Sequence, residues 1–469
     1  MLIRSFFTNS VGTLVSRIFG FIRDLLSASI LGANIYSDIF FVAFKFPNLF
    51  RRIFAEGAFT QSFIPSFIKT PLKGLFTYRV FIQFFSFLIA FSLIVTLFSD
   101  FFAKIIALGF DEETIHIAAP LVAINFYYLP LIFIVTLLGS LLQYKHHFAT
   151  TAFSTALLNI GMIAALMLFQ DYDKKTIVYA LSYGVLFGGL LQVISHLIAC
   201  SKYHLLKLFV VGYKASGKKD KRLEQTNKEF NRSFFHSIIG NSTPQIVSFV
   251  DTTLASFLVT GSISYLYYGN RIFQLPLALF AIALTTGIFP RITRLIKKNE
   301  EEQALSLVKK GFWILAFLLS ISTLGGYILS DEIVKILFER GAFSSEDTAQ
   351  TGFVLAMYMI GLLPFGLSKL FSLWLYARMK QKEAAKIALI ALACNLIFSF
   401  ALIAPMKAAG LALAGSLSGI VLFFFTLRSF GFSRFLAILF DRKLIILILV
   451  LILETGVLLW LRNMIHVYL

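Results

Sequence analysis

An all-α protein that crosses a bilayer many times is the fold class this sequence predicts, on three observations. Its mean hydropathy is +0.83, with 58% hydrophobic and only 14% charged residues, far from the composition of soluble chains. Apolar runs of about 20 residues, each able to cross a hydrocarbon core of about 30 Å, recur along the whole length. Strongly basic connections alternate with weakly charged or acidic ones, the pattern that orients helices in a membrane. The predicted architecture is two six-helix repeats, an N-lobe and a C-lobe, around a central cavity, with an extra C-terminal helix. That makes about 13 or 14 transmembrane helices.

Taken in order, thirteen apolar segments stand out, near 8–31, 36–68, 78–99, 116–144, 150–170, 176–200, 232–260, 264–291, 306–330, 348–378, 384–404, 408–427 and 443–462. The second, fourth, eighth and tenth exceed what a bilayer needs, and prolines such as Pro47, Pro65, Pro130, Pro276 and Pro364 fall within or beside them. Kinks or breaks are expected there. The first segment runs through Arg17, Arg23 and Asp24 without a small-residue cleavage site, so it reads as a helix and not a removable signal. Connections at 69–79, 144–147, 202–232, 291–310, 378–386 and 428–443 are the basic ones, which places the N-terminus in the cytoplasm. The same bias accounts for the net charge of +18 without nucleic acid as a partner. Cys200 and Cys394 belong to apolar segments and make no disulfide framework or metal set.

The halves match weakly but in order. Near an offset of 225, Ala58–Pro65 faces Ala283–Pro290; at 227, Asp24, Ala28, Ser29 and Leu31 face Asp251, Ala255, Ser256 and Leu258. At 234, Glu112, Thr114 and Pro130 face Glu346, Thr348 and Pro364. Six spans per repeat is an even number, so the repeats share one orientation. The expected division is an N-terminal lobe at 1–201, a basic linker at 202–231, a C-terminal lobe at 232–430, and an interfacial segment with the extra helix at 431–469.

Charge inside apolar segments is expensive, about 2.5–3.5 kcal/mol per mid-bilayer group, and marks function unless it is paired. In the first segment Arg17, Gly20 and Asp24 share a helical face, with Arg23 about 120° from Arg17. In the second, Lys45, Arg52 and Glu56 share a face and Arg51 lies about 100° off it. Arg271 is the isolated cation of the second half. Pairing such as Arg23–Asp24 or Arg52–Glu56 absorbs some of these charges, but cations outnumber carboxylates here. Arginines around one cavity suit a diphosphate, which a planar guanidinium binds with two parallel hydrogen bonds. Arginines in these segments are therefore candidates to bind a substrate's phosphates, and Asp24, Lys45, Arg52 and Glu56 candidates for the cavity wall or for gating.

Asp251 and Asn395, with Ser399 one turn on, offer oxygen ligands of the kind that hold Na⁺; hydrogen bonds between helices are the competing reading. Gly212 to Lys219 approaches a phosphate-binding loop, but Lys219 stands where the Mg²⁺-binding hydroxyl belongs. A basic linker meeting anionic headgroups explains it better than an ATPase. Residues 428–443, rich in Phe and Leu between cations, suit an amphipathic helix in the interface plane. No catalytic dyad or triad stands out, so the chain reads as a transporter and not an enzyme.

Arg23-Asp24 and the run Asn48-Leu-Phe-Arg51-Arg52-Ile-Phe-Ala-Glu56-Gly57-Ala58-Phe59-Thr60-Gln61 resemble the MurJ/MviN lipid II flippases, members of the multidrug/oligosaccharidyl-lipid/polysaccharide (MOP) exporter superfamily. The resemblance is specific in the first two spans and extends by span order to about residue 430. It implies a multi-pass protein of the bacterial inner membrane that moves lipid II, the undecaprenyl-diphosphate-linked disaccharide-pentapeptide of peptidoglycan biosynthesis, to the periplasmic leaflet by alternating access. It implies that Arg17, Arg23, Arg51 and Arg271 match the family's cavity arginines, that Asp24 and Asp38 match its cavity acids, and that Asp251 matches an acid at a sodium site of some relatives. Coupling to Na⁺ or to the membrane potential and no other cofactor is expected, with other envelope-assembly proteins as potential partners. Asn270 and Gln274 depart from the family, many of whose members carry acids there, and thirteen spans fall short of the family's usual fourteen. The competing functions are export of another lipid-linked glycan or an amphiphilic drug and, from a different class, a membrane scaffold for envelope assembly.

Overall fold

A computed structural model describes residues 2–53, 59–217, 220–241 and 243–468. Among them there are helices and turns but no strands. The chain divides into two compact units, Met1–Phe257 and Leu258–Leu469.

The first unit contains α1 (Leu2–Leu31), α2 (Ile35–Ala43), α3 (Lys45–Ile53), α4 (Phe59–Lys69), α5 (Lys73–Leu97), α6 (Ser99–Ile106), α7 (Glu112–Phe126), α8 (Tyr128–Tyr144), α9 (Ala149–Phe169), α10 (Lys174–Lys202), α11 (Lys207–Lys214), α12 (Lys221–Asn241) and α13 (Thr243–Ala255). The second contains α14 (Ser262–Pro276), a π-helical turn at Leu277–Ile282, α15 (Ala283–Lys297), α16 (Glu301–Ile328), α17 (Ser330–Phe338), α18 (Ser345–Ile360), α19 (Leu362–Ala377), α20 (Gln381–Phe430), α21 (Phe432–Leu439) and α22 (Arg442–Tyr468).

All four segments marked as too long are interrupted. The second becomes α2, α3 and α4. The fourth breaks between α7 and α8, and the tenth between α18 and α19, each three residues before a proline, Pro130 or Pro364. The eighth passes through the π-helical turn directly after Pro276, whose ring removes a donor from the helical ladder. Nine helices among the described residues are long and apolar enough to cross a membrane. The thirteen expected segments differ from these nine at four places. The charged α1, the broken second segment and the seventh, in which residue 242 lies outside the described residues, are not counted, and α20 is counted once although Lys407 (φ 51°, ψ −129°) divides it. A hydrogen bond from Ser418 Oγ to the Ala391 carbonyl (2.8 Å) ties the two arms of α20 together, so the expected reversal at 405–409 is present.

The sequence match at offset 234 falls on equivalent structure. Asp111 caps α7 by accepting from the Thr114 amide (2.8 Å), and Ser344 caps α18 by accepting from the Asp347 amide (3.2 Å). Acidic residues fill the first turn of both helices, where they suit the positive end of the helix dipole.

Phenylalanine supplies much of the first unit's core. Phe59, Phe63 and Phe76 pack with Phe84, Phe133, Phe230 and Phe234, with ring centroids 5.3–6.2 Å apart in edge-on and stacked pairs. Such pairs contribute about 0.5–1.5 kcal/mol each beyond area burial. Phe230 and Phe234 belong to α12, and Phe230 falls in the stretch 202–231 expected as a linker, so that stretch supplies a core residue. Its other helix, α11, lies so close to α5 that a β-carbon on Gly212 would sit 2.3 Å from the Gly74 carbonyl oxygen. Gly212 therefore serves a helix crossing. Lys218 and Lys219 lie outside the described residues. These packings, with those of α13 below, carry the first unit to Phe257, past the boundary at 201 drawn from the sequence.

At the far end of the second unit, Gly431 (φ +112°) turns the chain from α20 into α21. Phe432, Leu436 and Phe440 are exposed at four-residue spacing, while Ile438 is buried and Arg434 turns back to Glu301 (2.9 Å). This is the expected amphipathic segment.

Candidate functional site

The α1–α9 contact forms the best-defined part of the site. Arg23 and Asp24 are buried, 6% and 2% exposed. Arg23 donates to Asp24 Oδ1 from Nε (3.1 Å) and Nη2 (2.5 Å), and from Nη1 to Asn159 Oδ1 (3.0 Å). Asn159 in turn donates to the carbonyls of Ser16 and Thr155, both at 3.2 Å. Its approach to α1 is allowed at Gly20, where a β-carbon would lie 3.4 Å from Asn159 Nδ2. The face carrying Arg17, Gly20 and Asp24 thus holds a helix crossing at its centre. The side chain of Arg17 is exposed.

On α3, Arg51 is half-buried and donates from Nε (3.1 Å) and Nη2 (3.0 Å) to Asn48 Oδ1 one turn earlier. That holds the plane of its guanidinium. Arg52 lies on the backbone of the same helix, but its side chain is outside the described residues, as is Glu56 altogether. Asp38 is buried in the first turn of α2 (2% exposed), following the Asn34 cap that accepts from the amides of Tyr36 and Ser37. Lys45 begins α3 and donates to Ser248 Oγ on α13 (2.8 Å). Ser248 and Asp251 are three residues apart, and Lys45 is the cation that acts electrostatically on Asp251. Asp251 Oδ1 is buried without a hydrogen-bond partner. Two more contacts hold α13: Thr253 Oγ1 donates to the Ile106 carbonyl (2.9 Å), and Ser256 Oγ accepts from the Gly109 amide (2.9 Å).

In the second unit, Arg271 on α14 donates from Nη2 to Tyr267 OH (2.9 Å), with its guanidinium carbon 5.0 Å from that ring's centroid. Asn270 and Gln274, the departures from the family pattern, hydrogen-bond each other. Asn395 and Ser399 are fully buried one turn apart on α20, and both side-chain atoms of Asn395 and the Ser399 hydroxyl lack hydrogen-bond partners. Asn395 belongs to the second unit and Asp251 to the first. No group of three His, Cys, Asp or Glu side chains comes together among the described residues.

Several site partners were not singled out in the sequence: Asn48, Asn159, Ser248 and Tyr267. Asn159 had a readable signal, an amide in the middle of an otherwise apolar segment. Lys369, also missed, stands with an exposed side chain in the middle of α19.

Comparison with known proteins places the chain in a family. The family model described as "Lipid II flippase MurJ" matches residues 27–469. A Helicobacter pylori protein named "Probable lipid II flippase MurJ" is 51% identical over 426 residues, covering 89% of this chain and 92% of its own. The protein of the same name from Aquifex aeolicus is 33% identical over 395 residues, 83% of this chain and 75% of its own. Among solved structures, "Lipid II flippase MurJ, inward closed conformation" aligns with a TM-score of 0.78 at 24% identity, covering 98% of both chains. An inward-facing multidrug resistance MATE transporter of the MOP superfamily shares the fold at a TM-score of 0.67 and 10% identity, covering 92% of this chain and 98% of that one. The chain belongs to the MurJ family of lipid II flippases.

Proposed function

We propose that the protein carries lipid II from the cytoplasmic to the periplasmic leaflet of a bacterial inner membrane, with its own N-terminus in the cytoplasm. The observation that carries this reading is the presence of arginines on apolar helices in a chain that matches the lipid II flippase family over residues 27–469. Guanidinium groups hold a diphosphate with paired charge-assisted hydrogen bonds. The prenyl tail stays in lipid while the headgroup crosses, and alternating access requires headgroup affinity to fall on the outer side.

Within this reading the arginines divide by surroundings. Arg17 is exposed, Arg51 is oriented by Asn48, and Arg271 is carried over Tyr267; these three are proposed to engage the diphosphate during the cycle. Arg23 is committed to Asp24 and Asn159 and is proposed to position α1 for Arg17. Lys45 and Asp38 are proposed as gating residues. The transport cycle is coupled to the membrane potential or to a Na⁺ gradient. If Na⁺ binds, Asn395 Oδ1 and Ser399 Oγ are suitable oxygen ligands, and the ion would supply a return drive to the cationic site. Asp251 already has the Lys45 charge acting on it, so an ion there would compete with a resident cation.

The test is depletion in the host, reading which leaflet holds lipid II, followed by complementation with Arg17→Ala and Arg271→Ala. Lipid II should accumulate on the cytoplasmic side, and neither variant should clear it although both are present in the membrane at normal levels. Normal flipping after depletion would remove the assignment. Full complementation by both variants would remove the cationic grip and favour a scaffold.

A further inference from the structure

We propose that the junction of α8, α9 and α10 binds a single buried water molecule in the space beside Gly139, held between His196 and Thr151. It is a site apart from the arginines of the transport reading and does not depend on them.

The argument starts from where hydroxyls in these helices go. Thr77, Ser92, Thr136, Ser140, Thr252 and Thr426 each donate to the carbonyl four residues earlier at 2.7–2.9 Å. A hydroxyl in an apolar helix has few other choices. Thr151 is the third residue of α9, so the carbonyl four back belongs to His147, in the turn before the helix. Its Oγ1 is buried and has no hydrogen-bond partner in the protein.

His196 is fully buried on α10. Its Nδ1 lies 2.8 Å from the Gln192 carbonyl. A carbonyl only accepts, so Nδ1 carries the proton and the neutral ring presents a lone pair at Nε2. That Nε2 is likewise buried without a partner. Two complementary groups are therefore orphaned in one region.

They lie on either side of one position, that of a β-carbon on Gly139. A β-carbon on Gly139 would lie 3.1 Å from Thr151 Oγ1 and 3.6 Å from His196 Nε2, with Thr151 Cγ2 the next nearest atom outside the helix at 3.6 Å. A side chain at this position of α8 would crowd the Thr151 hydroxyl, so glycine there keeps carbon away from both unpaired atoms. An unmet buried polar group is destabilising, and a water with polar partners on two sides relieves two at once. Water suits the pair because it donates to Nε2 and exchanges a hydrogen bond with the hydroxyl. A metal cation would find too few oxygen ligands here.

The water would extend a polar chain already present. Gln192, whose carbonyl takes the His196 proton, accepts from Tyr128 OH at Oε1 (3.1 Å) and donates from Nε2 to the Ser154 carbonyl (2.9 Å) and hydroxyl (3.0 Å). The same three helices are thereby joined by hydrogen bonds along two successive levels.

Thr151→Val decides the question because the two cases differ in sign. With water bound, losing the hydroxyl strands the water and His196, and the thermal inactivation midpoint of the full-length protein in detergent should fall by about 2 °C or more. Thr151→Ser should restore it. In the His196→Phe background, Thr151→Val should no longer lower the midpoint, since the bridge is already lost. If the space is dry, replacing an unpaired buried hydroxyl with a methyl leaves the midpoint unchanged or raises it, which overturns the proposal. Should His196→Phe fail to fold, a structure of the intact protein in lipid that resolves ordered solvent decides independently. A peak within about 3.2 Å of both atoms supports the site, and a clear gap there refutes it.

Discussion

Arg17 and Arg23 are six residues apart on one helix, yet their surroundings assign them different work. Arg23 is bound into a buried ion pair whose other acceptor, Asn159, sits on α9. Removing one member of a buried pair leaves an uncompensated charge and costs about 3–5 kcal/mol. Arg23→Ala should therefore reduce the amount of folded protein, measured by monodispersity on size exclusion and by melting midpoint, and Asp24→Asn in the same chain should recover part of that loss. Arg17→Ala should leave folding unchanged and abolish complementation. If Arg23→Ala folds normally and fails only in transport, the positioning role assigned to it is wrong. The pairing was visible in the sequence as two adjacent opposite charges. Asn159 was readable as an amide in an apolar segment, but not as the third member, because it lies 136 residues away and only the helix crossing at Gly20 brings it in.

At the scale of elements, α12 tests how far packing overrides composition. Its residues 221–231 are polar and basic enough to read as a linker, and three phenylalanines in the helix's 21 residues gave little sign of a core face. Phe230 is fully buried against Phe59, Phe63, Phe76 and Phe84, and at the helix surface Lys69 pairs with Glu229 at 2.6 Å. Phe→Ala in a packed core costs about 3–5 kcal/mol. Phe230→Ala should lower the melting midpoint and open residues 202–241 to protease, whereas Lys69→Ala, breaking an exposed pair, should do neither. The breaks, by contrast, were legible, because excess length and proline are local properties. The caps carry a pH dependence of their own. The Thr114 hydrogen bonds hold Asp111 below the usual carboxylate range. A depressed carboxylate contributes stability above its unfolded value, near 3.9, and loses it as pH falls through the folded value. Acid unfolding of wild type should thus show a contribution that Asp111→Asn, which keeps the capping oxygen, lacks; superimposable acid limbs would show that the cap carries no charge effect.

Across the whole molecule, the extra C-terminal helix was predicted from hydropathy alone, but hydropathy could not say what holds it. Most described side chains of α22 are exposed and Leu447 alone among them is buried, and in lipid an apolar surface gives no hydrophobic drive for helices to associate. Polar contacts at its two ends supply what the apolar face cannot. Asp441, just before α22, meets Lys309 of α16 at 2.7 Å, and Arg462, near its far end, meets Glu332 of α17 at 3.2 Å. The twenty residues from Arg442 to Arg462 rise about 30 Å, so the two pairs pin the helix at opposite membrane surfaces. They are not equivalent. The Glu332 side chain is 4% exposed and Asp441 24%, so water can replace the lost partner at Asp441 and not at Glu332. Arg462→Ala should therefore destabilise the protein more than Lys309→Ala, by a few kcal/mol against under about 1 kcal/mol. Cross-linking between cysteines placed on α16 and α22 should weaken in Arg462→Ala and persist in Lys309→Ala. Equal effects from the two substitutions would mean that packing along α16, and not the buried Glu332 pair, keeps the last helix in place.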